Sequence, residues 1–346
     1  MRRPARTPVV LLLLGLLLVA STLLSTGFGA EQLPPGVVLH VLRAQLTGAA
    51  TTGADAAYQT IVWDLRTPRT LLAVVVGAGL ALAGAGIQTL VRNPLADPYL
   101  LGVSSGASVG AVAVITTGVL GGVWALSAGA LLGALASAVL VFAVALGQGG
   151  LTPLRLVLTG TVLGSAFSAI ASYLVFRSAD PRAAESVLFW LLGSLGGASW
   201  DRLPLPAVTV LLLGALLLAM SGWLDALAAG PETAAALGIP VRALRRVLFA
   251  VFAVLVGVLV AVAGGIGFVG LILPHVARLL VGARHRRVLP VAAVAGAVFL
   301  VWVDVAARIA VRPVEIPLSV VTGIIGAPVF LLLMGRRRYR YGGGAR

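Results

Sequence analysis

The sequence predicts an all-α integral membrane protein that crosses the bilayer about ten times with both termini in the cytoplasm, and three observations predict it. The first is composition: 60% of the 346 residues are hydrophobic and 10% charged, whereas soluble domains carry about 25% charged residues. The second is the recurrence, from end to end, of apolar runs of about 20 residues, the length a helix needs to cross the hydrocarbon core. The third is the placement of charge, which collects in short gaps between those runs. No long polar linker interrupts the pattern, so residues 1–346 read as a single membrane domain.

Taken in order, Arg2, Arg3 and Arg6 lead into an apolar stretch that resembles a signal peptide. Ala30 would suit a cleavage site, but Phe28 is wrong two positions before it. The run also continues to about Phe28, so residues 8–28 read as an uncleaved first span. Residues 29–67 then form an outside loop. Further spans are expected at 70–91, 99–119, 123–146, 153–176, 204–221, 244–263, 265–282, 288–308 and 316–334. The seventh and eighth meet without a polar gap and are divided at Gly264-Gly265, because one helix of about 38 residues is far longer than a crossing needs. The stretch Val187–Trp200 is apolar but too short to cross, which suits a re-entrant or interfacial helix.

Charge sets the orientation. All 25 basic residues are arginine. With the N-terminus inside, 17 of them fall on the cytoplasmic side and eight outside. Of the acids, Asp97, Asp225 and Glu232 fall inside and eight outside, leaving the inner face near +14 and the outer face near neutral. This is the positive-inside pattern. The net charge of +14 therefore does not point to nucleic acid, whose binders concentrate basic residues on a soluble face. Glycines at spacing four (Gly102/Gly106/Gly110, Gly129/Gly133, Gly160/Gly164) mark ridges where helices pack closely.

The chemistry classes are largely excluded. Without lysine there is no P-loop, so ATP hydrolysis would need another polypeptide. Without cysteine there is no disulfide, iron–sulfur cluster or thiol catalysis. Gly265-Ile-Gly267-Phe-Val-Gly270 matches GxGxxG, yet it lies between two spans rather than in a βαβ unit. His40, His275 and His285 are scattered, with no partner at metal-ligand spacing. No cofactor is implied, and no residue set suggests an enzyme. The chain reads as one that moves a solute. A secondary transporter driven by an ion gradient is the alternative, although such proteins place ionisable groups near mid-membrane and here charges fall near span ends.

Three regions stand apart. Arg66-Thr-Pro-Arg69 sets two arginines one turn apart around a proline suited to a helix start, at the outer end of the second span. Asn93-Pro94-Leu-Ala-Asp97-Pro98 is a proline-bounded turn on the inner side. Trp223–Arg246 is the longest inner segment, in which Leu224–Gly230 and Pro231–Gly238 read as two short helices. Pro231 suits a first helical position and Gly238 a helix stop. Such a pair resembles a docking surface.

These regions in this order resemble the permease subunits of ABC importers for iron–siderophores, heme and vitamin B12, the FecCD/BtuC-type family. The resemblance runs from Trp63 to Gly335. It rests on Arg66-Thr-Pro-Arg69, Gln88-Thr-Leu-Val-Arg-Asn93-Pro-Leu-Ala-Asp97-Pro and Leu101-Gly-Val-Ser-Ser-Gly106-Ala. It continues through Trp190-Leu-Leu-Gly-Ser-Leu, Leu224-Asp-Ala-Leu with Thr233-Ala-Ala-Ala-Leu-Gly-Ile, and Gly267-Phe-Val-Gly-Leu-Ile-Leu-Pro-His275-Val-Ala-Arg278. Glu315-Ile-Pro317 and Gly326-Ala-Pro328 close it.

The resemblance implies a type II ABC importer permease fold of ten helices and a dimer of permeases with the pathway between them. It also implies two ATPase subunits inside and a substrate-binding protein outside, and no catalytic residue or metal site in this chain. By the same resemblance, Arg66, Arg69 and Arg308 meet the binding protein, with Asp304 one turn before Arg308 to hold it. Leu224, Leu227, Gly230, Glu232, Thr233, Leu237 and Gly238, within the cytoplasmic segment 222–243, couple to the ATPase. Gln88, Asn93, Pro94 and Asp97 belong to the pathway, with the cytoplasmic gate at Thr152-Pro153. Small polar residues are usual at the gate, and Pro153-Leu154 departs from that pattern. Leu318 likewise stands where a glycine often follows Pro317.

Overall fold

The computed structural model describes residues 6–29, 31–48, 54–118, 124–178 and 180–335. These residues build an all-helical protein with no β-strand among them. The predicted positions of the two termini rest on residues 1–5 and 336–346 and lie outside the described residues.

The first span is α1 (Arg6–Ser25). After α2 (Pro35–Thr47) the chain enters α3 (Ala54–Gln59), a wide π turn (Thr60–Arg66) and α4 (Thr67–Leu90). Pro68 lies in the first turn of α4, as expected, but the segment before it is helical rather than a loop and runs into α4 without a break. Ala56–Leu90 is one continuous helical stretch of 35 residues. Proline lacks an N–H, and its ring crowds the carbonyl of the preceding turn. The π turn opens the backbone ahead of Pro68: the Thr67 N–H donates to the Val62 carbonyl, five residues back. The Thr67 hydroxyl donates to the same carbonyl at 2.6 Å. Val38 and Val41 of α2 pack on Val62, so the predicted outer loop is a small helical cap with its own apolar core.

A 3₁₀ turn (Pro98–Leu101) leads into α5 (Val103–Thr117), followed by α6 (Ala125–Gly147), α7 (Pro153–Arg177) and α8 (Ala183–Leu191). Then come α9 (Pro204–Ala219), α10 (Ser221–Ala229), α11 (Pro231–Ala236), α12 (Val241–Ala263), α13 (Val269–Val281), α14 (His285–Ile309) and α15 (Leu318–Gly335). Seven described helices are long and apolar enough to cross a membrane: α1, Ala56–Leu90, α6, α7, Trp200–Ala219, α12 and α14. Three shorter apolar helices, α5, α13 and α15, occupy the other predicted positions. At 15 and 13 residues, α5 and α13 reach only about 20–23 Å.

α4 lies at the centre, packed against α14, α13, α12 and α9. Apolar residues gain little from leaving lipid for protein, so close contact must hold these helices together. The glycine ridges supply it. A Cβ on Gly110 would run into the Gly129 carbonyl, and one on Gly133 into the Gly106 carbonyl. The sequence reading did not single out Gly77 against Gly296 or Gly84 against Gly270, which bring α4 equally close to α14 and α13.

The division between α12 and α13 falls at Gly264, as expected, and residues 264–267 are not helical. Irregular backbone at this depth needs partners from the protein. The Tyr99 hydroxyl accepts from the Ile266 N–H at 2.7 Å and donates to the Ile266 carbonyl at 3.0 Å. The Ser319 hydroxyl donates to the Gly265 carbonyl at 2.7 Å, and the Ala263 carbonyl accepts from the Ser194 N–H at 2.9 Å. The expected short element at 187–200 is α8 followed by irregular chain that packs on this break.

Candidate functional site

The predicted residues gather at two places. One is where the C-terminal end of α1, the start of α4 and the end of α14 meet. Arg69 Nε donates to Asp304 Oδ1 at 2.9 Å, while its two terminal nitrogens form a fork on Glu315 at 2.8 and 3.0 Å. Arg308 Nε lies 3.0 Å from the other Asp304 oxygen, one helical turn away, as the spacing implied. Its remaining nitrogens donate to the carbonyls of Phe28 (2.6 Å) and Ser25 (3.4 Å). Arg66 donates to the carbonyls of Thr26, Gly27 and Glu31 at 3.1, 3.1 and 2.7 Å. Asp304 is 1% exposed and Arg308 7%. Two of the three arginines are therefore committed to a buried network, and the third ties α1 to α4 through carbonyl oxygens.

The other place joins the ends of α4, α13 and α14 to α10. Leu224 and Leu227 are fully buried, so they anchor α10 instead of facing outward. Asp225 pins it further: one of its oxygens accepts from the His285 N–H (2.8 Å) and lies 2.6 Å from His285 Nδ1. His285 Nε2 is 2.7 Å from the Thr89 hydroxyl on α4. Beside it, Gln88 donates to the Leu271 carbonyl at 3.2 Å and accepts from Arg278 at 2.6 Å. The two predicted short helices are present. Pro231 opens α11, and Gly238 ends the segment in the left-handed conformation. Gly230, between them, also has a positive φ of 139°. Glu232, Thr233, Leu237 and Gly238 are exposed, Leu237 by 68%.

The proline-bounded turn takes its shape from its own side chains. Asn93 Oδ1 accepts from the Leu95 N–H, and Asp97 Oδ1 from the Tyr99 N–H, both at 2.9 Å. Pro94 sits between them, half-buried. Burial pushes the Asp97 carboxyl up to about 6, against the opposing pull of the Tyr99 N–H. Thr152 caps α7 by accepting from the Arg155 N–H at 3.4 Å, and Pro153 is the first residue of that helix.

Sequence reasoning did not assign Glu315, Thr89, Asp225 or His285 to a site. Glu315 lies 246 positions from Arg69 and His285 lies 60 from Asp225, so no local spacing could have revealed either pair.

Together these features define a multi-pass helical membrane protein whose described polar groups join its helices to one another. The FecCD transport family matches residues 17–336, and the chain belongs to that family. It is 39% identical over 327 residues to the ABC transporter permease protein YvrB of Bacillus subtilis (strain 168), covering 92% of this chain and 91% of that one. It is 42% identical over 290 residues to the cobalamin import system permease protein BtuC of Halobacterium salinarum, covering 83% and 77%. A solved ABC transporter of metal-chelate type, in an inward-facing conformation, superimposes with a TM-score of 0.83 at 35% identity, covering 95% of this chain and all of that one. The protein is thus a permease subunit of an ABC importer and not itself an enzyme. Nothing in these matches supports the gradient-driven alternative.

Proposed function

We propose that this permease carries a ferric siderophore, or else heme or cobalamin, across the cell membrane as one half of a permease dimer. Two ATPase subunits drive it from inside, and a binding protein delivers cargo from outside. On this reading residues 1–346 are one permease domain with 29–67 outside and 222–243 inside. The observation that carries the reading is the α10–α11 pair: a short helix nailed down by Leu224, Leu227 and Asp225, followed by one whose outer surface is left open. An anchored helix with a free face transmits force, whereas a passive connection would need fewer residues. The relatives named for cobalamin and for metal chelates support the cargo class.

Outside, a binding protein with acidic lobes would land at the Arg66, Arg69 and Arg308 cluster, where Asp304 and Glu315 hold Arg69 and Arg308 and Arg66 is only half-buried. Such charge steers and orients a partner more than it adds affinity. Inside, Gln88, Asn93, Pro94 and Asp97 flank the pathway and Thr152-Pro153 closes it.

The test is purification of the tagged protein from its native host in mild detergent. A P-loop ATPase recovered in near-equal amount, followed by ATP-dependent uptake of labelled ferric siderophore in liposomes, is the expected result. A stable dimeric permease that repeatedly comes alone would remove the reading.

A further inference from the structure

Between the turn Gly149–Thr152 and the first turns of α12 lies a cavity of about 450 Å³ that takes three arginines, Arg242, Arg245 and Arg246, into its wall. Spacings of three and four put these side chains on one helix face. Like charges so placed repel, and Arg92 adds its field from the α4–α5 turn. Among the described residues no carboxylate pairs with any of the three. Arg245 Nε is buried and has no acceptor among the described atoms. A buried donor with nothing to donate to is costly, and a convergent set of unpaired guanidiniums is a mould for an oxyanion. The opposite wall is low because Gly149 and Gly150, at φ of 103° and 112°, carry no side chain.

From this geometry we infer that the cavity binds a phosphate group, that of an anionic phospholipid headgroup or a free phosphate. Basic pockets between helices on the cytoplasmic side take such headgroups, and the cavity is large enough for one. A bound phosphate bridges α12 to the turn that precedes α7. This goes beyond the transport reading, since it concerns a resident ligand and not the cargo.

The test uses the full permease with its ATPase, reconstituted in nanodiscs of phosphatidylglycerol, cardiolipin or phosphatidylcholine, and read by native mass spectrometry. The wild type is expected to retain the anionic lipids over phosphatidylcholine. The triple variant Arg242→Gln, Arg245→Gln, Arg246→Gln should lose that retention about tenfold. The control Arg284→Gln, Arg286→Gln, Arg287→Gln removes equal charge from the same face outside the cavity and should keep the lipid. Should the first variant fail to fold, millimolar pyrophosphate added to the wild type serves instead, and it should displace the lipid. If pyrophosphate raises the melting temperature of the wild type while no lipid is retained, the ligand is a free phosphate. Equal loss in both triple variants, or indifference to both lipid and pyrophosphate, would overturn the inference.

Discussion

The outer arginine cluster and the inner α10–α11 segment were both expected to face partners, yet they are built on opposite plans. Outside, the charged groups turn inward: Arg69 and Arg308 share Asp304, and Glu315 closes the fork on Arg69. Inside, apolar residues and one His–Asp pair, its histidine buried, secure the scaffold, and charge and Leu237 stay in the open. The difference teaches that a residue type diagnostic of an interface can be held by the fold, and that burial separates the two roles. Outside, mutation tests stability first and docking second. Inside, the two effects can be separated residue by residue.

The largest effect is expected from Arg69→Ala. It leaves the Asp304 carboxylate buried beside a single cation, and breaking a buried ion network costs about 3–5 kcal/mol. Thermal unfolding of the detergent-solubilised permease should show a steep loss. Unchanged stability, with binding-protein docking abolished, would make the outer cluster a pure interface after all. Leu227→Ala and Leu237→Asp sharpen the inner half. The first removes buried volume and should cost about 2–4 kcal/mol. The second lies on the surface, should stay within about 0.5 kcal/mol of the parent, and should release the ATPase in a pull-down. Matching stability losses for the two leucines would erase the distinction between anchor and face.

The smallest effect concerns Asp97. Its carboxyl is raised in the fold to about 6 from 3.8, so the folded state holds its proton more tightly than the unfolded chain does. Its contribution favours folding below pH 3.8 and is progressively lost as pH rises through about 6. Asp97→Asn keeps an oxygen for the Tyr99 N–H and removes the titration. Melting curves should show a decline between pH 4 and 6 in the parent that flattens in the variant.

Much of the fold was legible because lipid imposes a length on every crossing helix, and runs of leucine, valine and alanine record it. The division at Gly264-Gly265 followed from length alone. Pro68 does stand in the first turn of α4, but a helix that begins at a proline and one that reaches it through a wide turn look alike in sequence. Only the Val62–Thr67 hydrogen bonds tell them apart. In the candidate site, Asp304 and Arg308 could be paired because a helix sets them one turn apart. Glu315 reaches Arg69, and Asp225 reaches His285, only through the tertiary fold. Leu224 and Leu227 were assigned to the coupling surface by the resemblance, which places the segment but does not tell which face of its helix the rest of the fold covers.

The continuous stretch Ala56–Leu90 has one more consequence. Thirty-five residues make an axle about 52 Å long, overshooting a hydrocarbon core of about 30 Å. Arg66 and Arg69 lie on the far side of its midpoint from Gln88 and Thr89, which stand at its last turn. Gly77 and Gly84 press it against α14 and α13 between them. The Gln88–Arg278 and Thr89–His285 bonds are therefore made by the same unbroken element that carries Arg69 to Asp304 and Glu315.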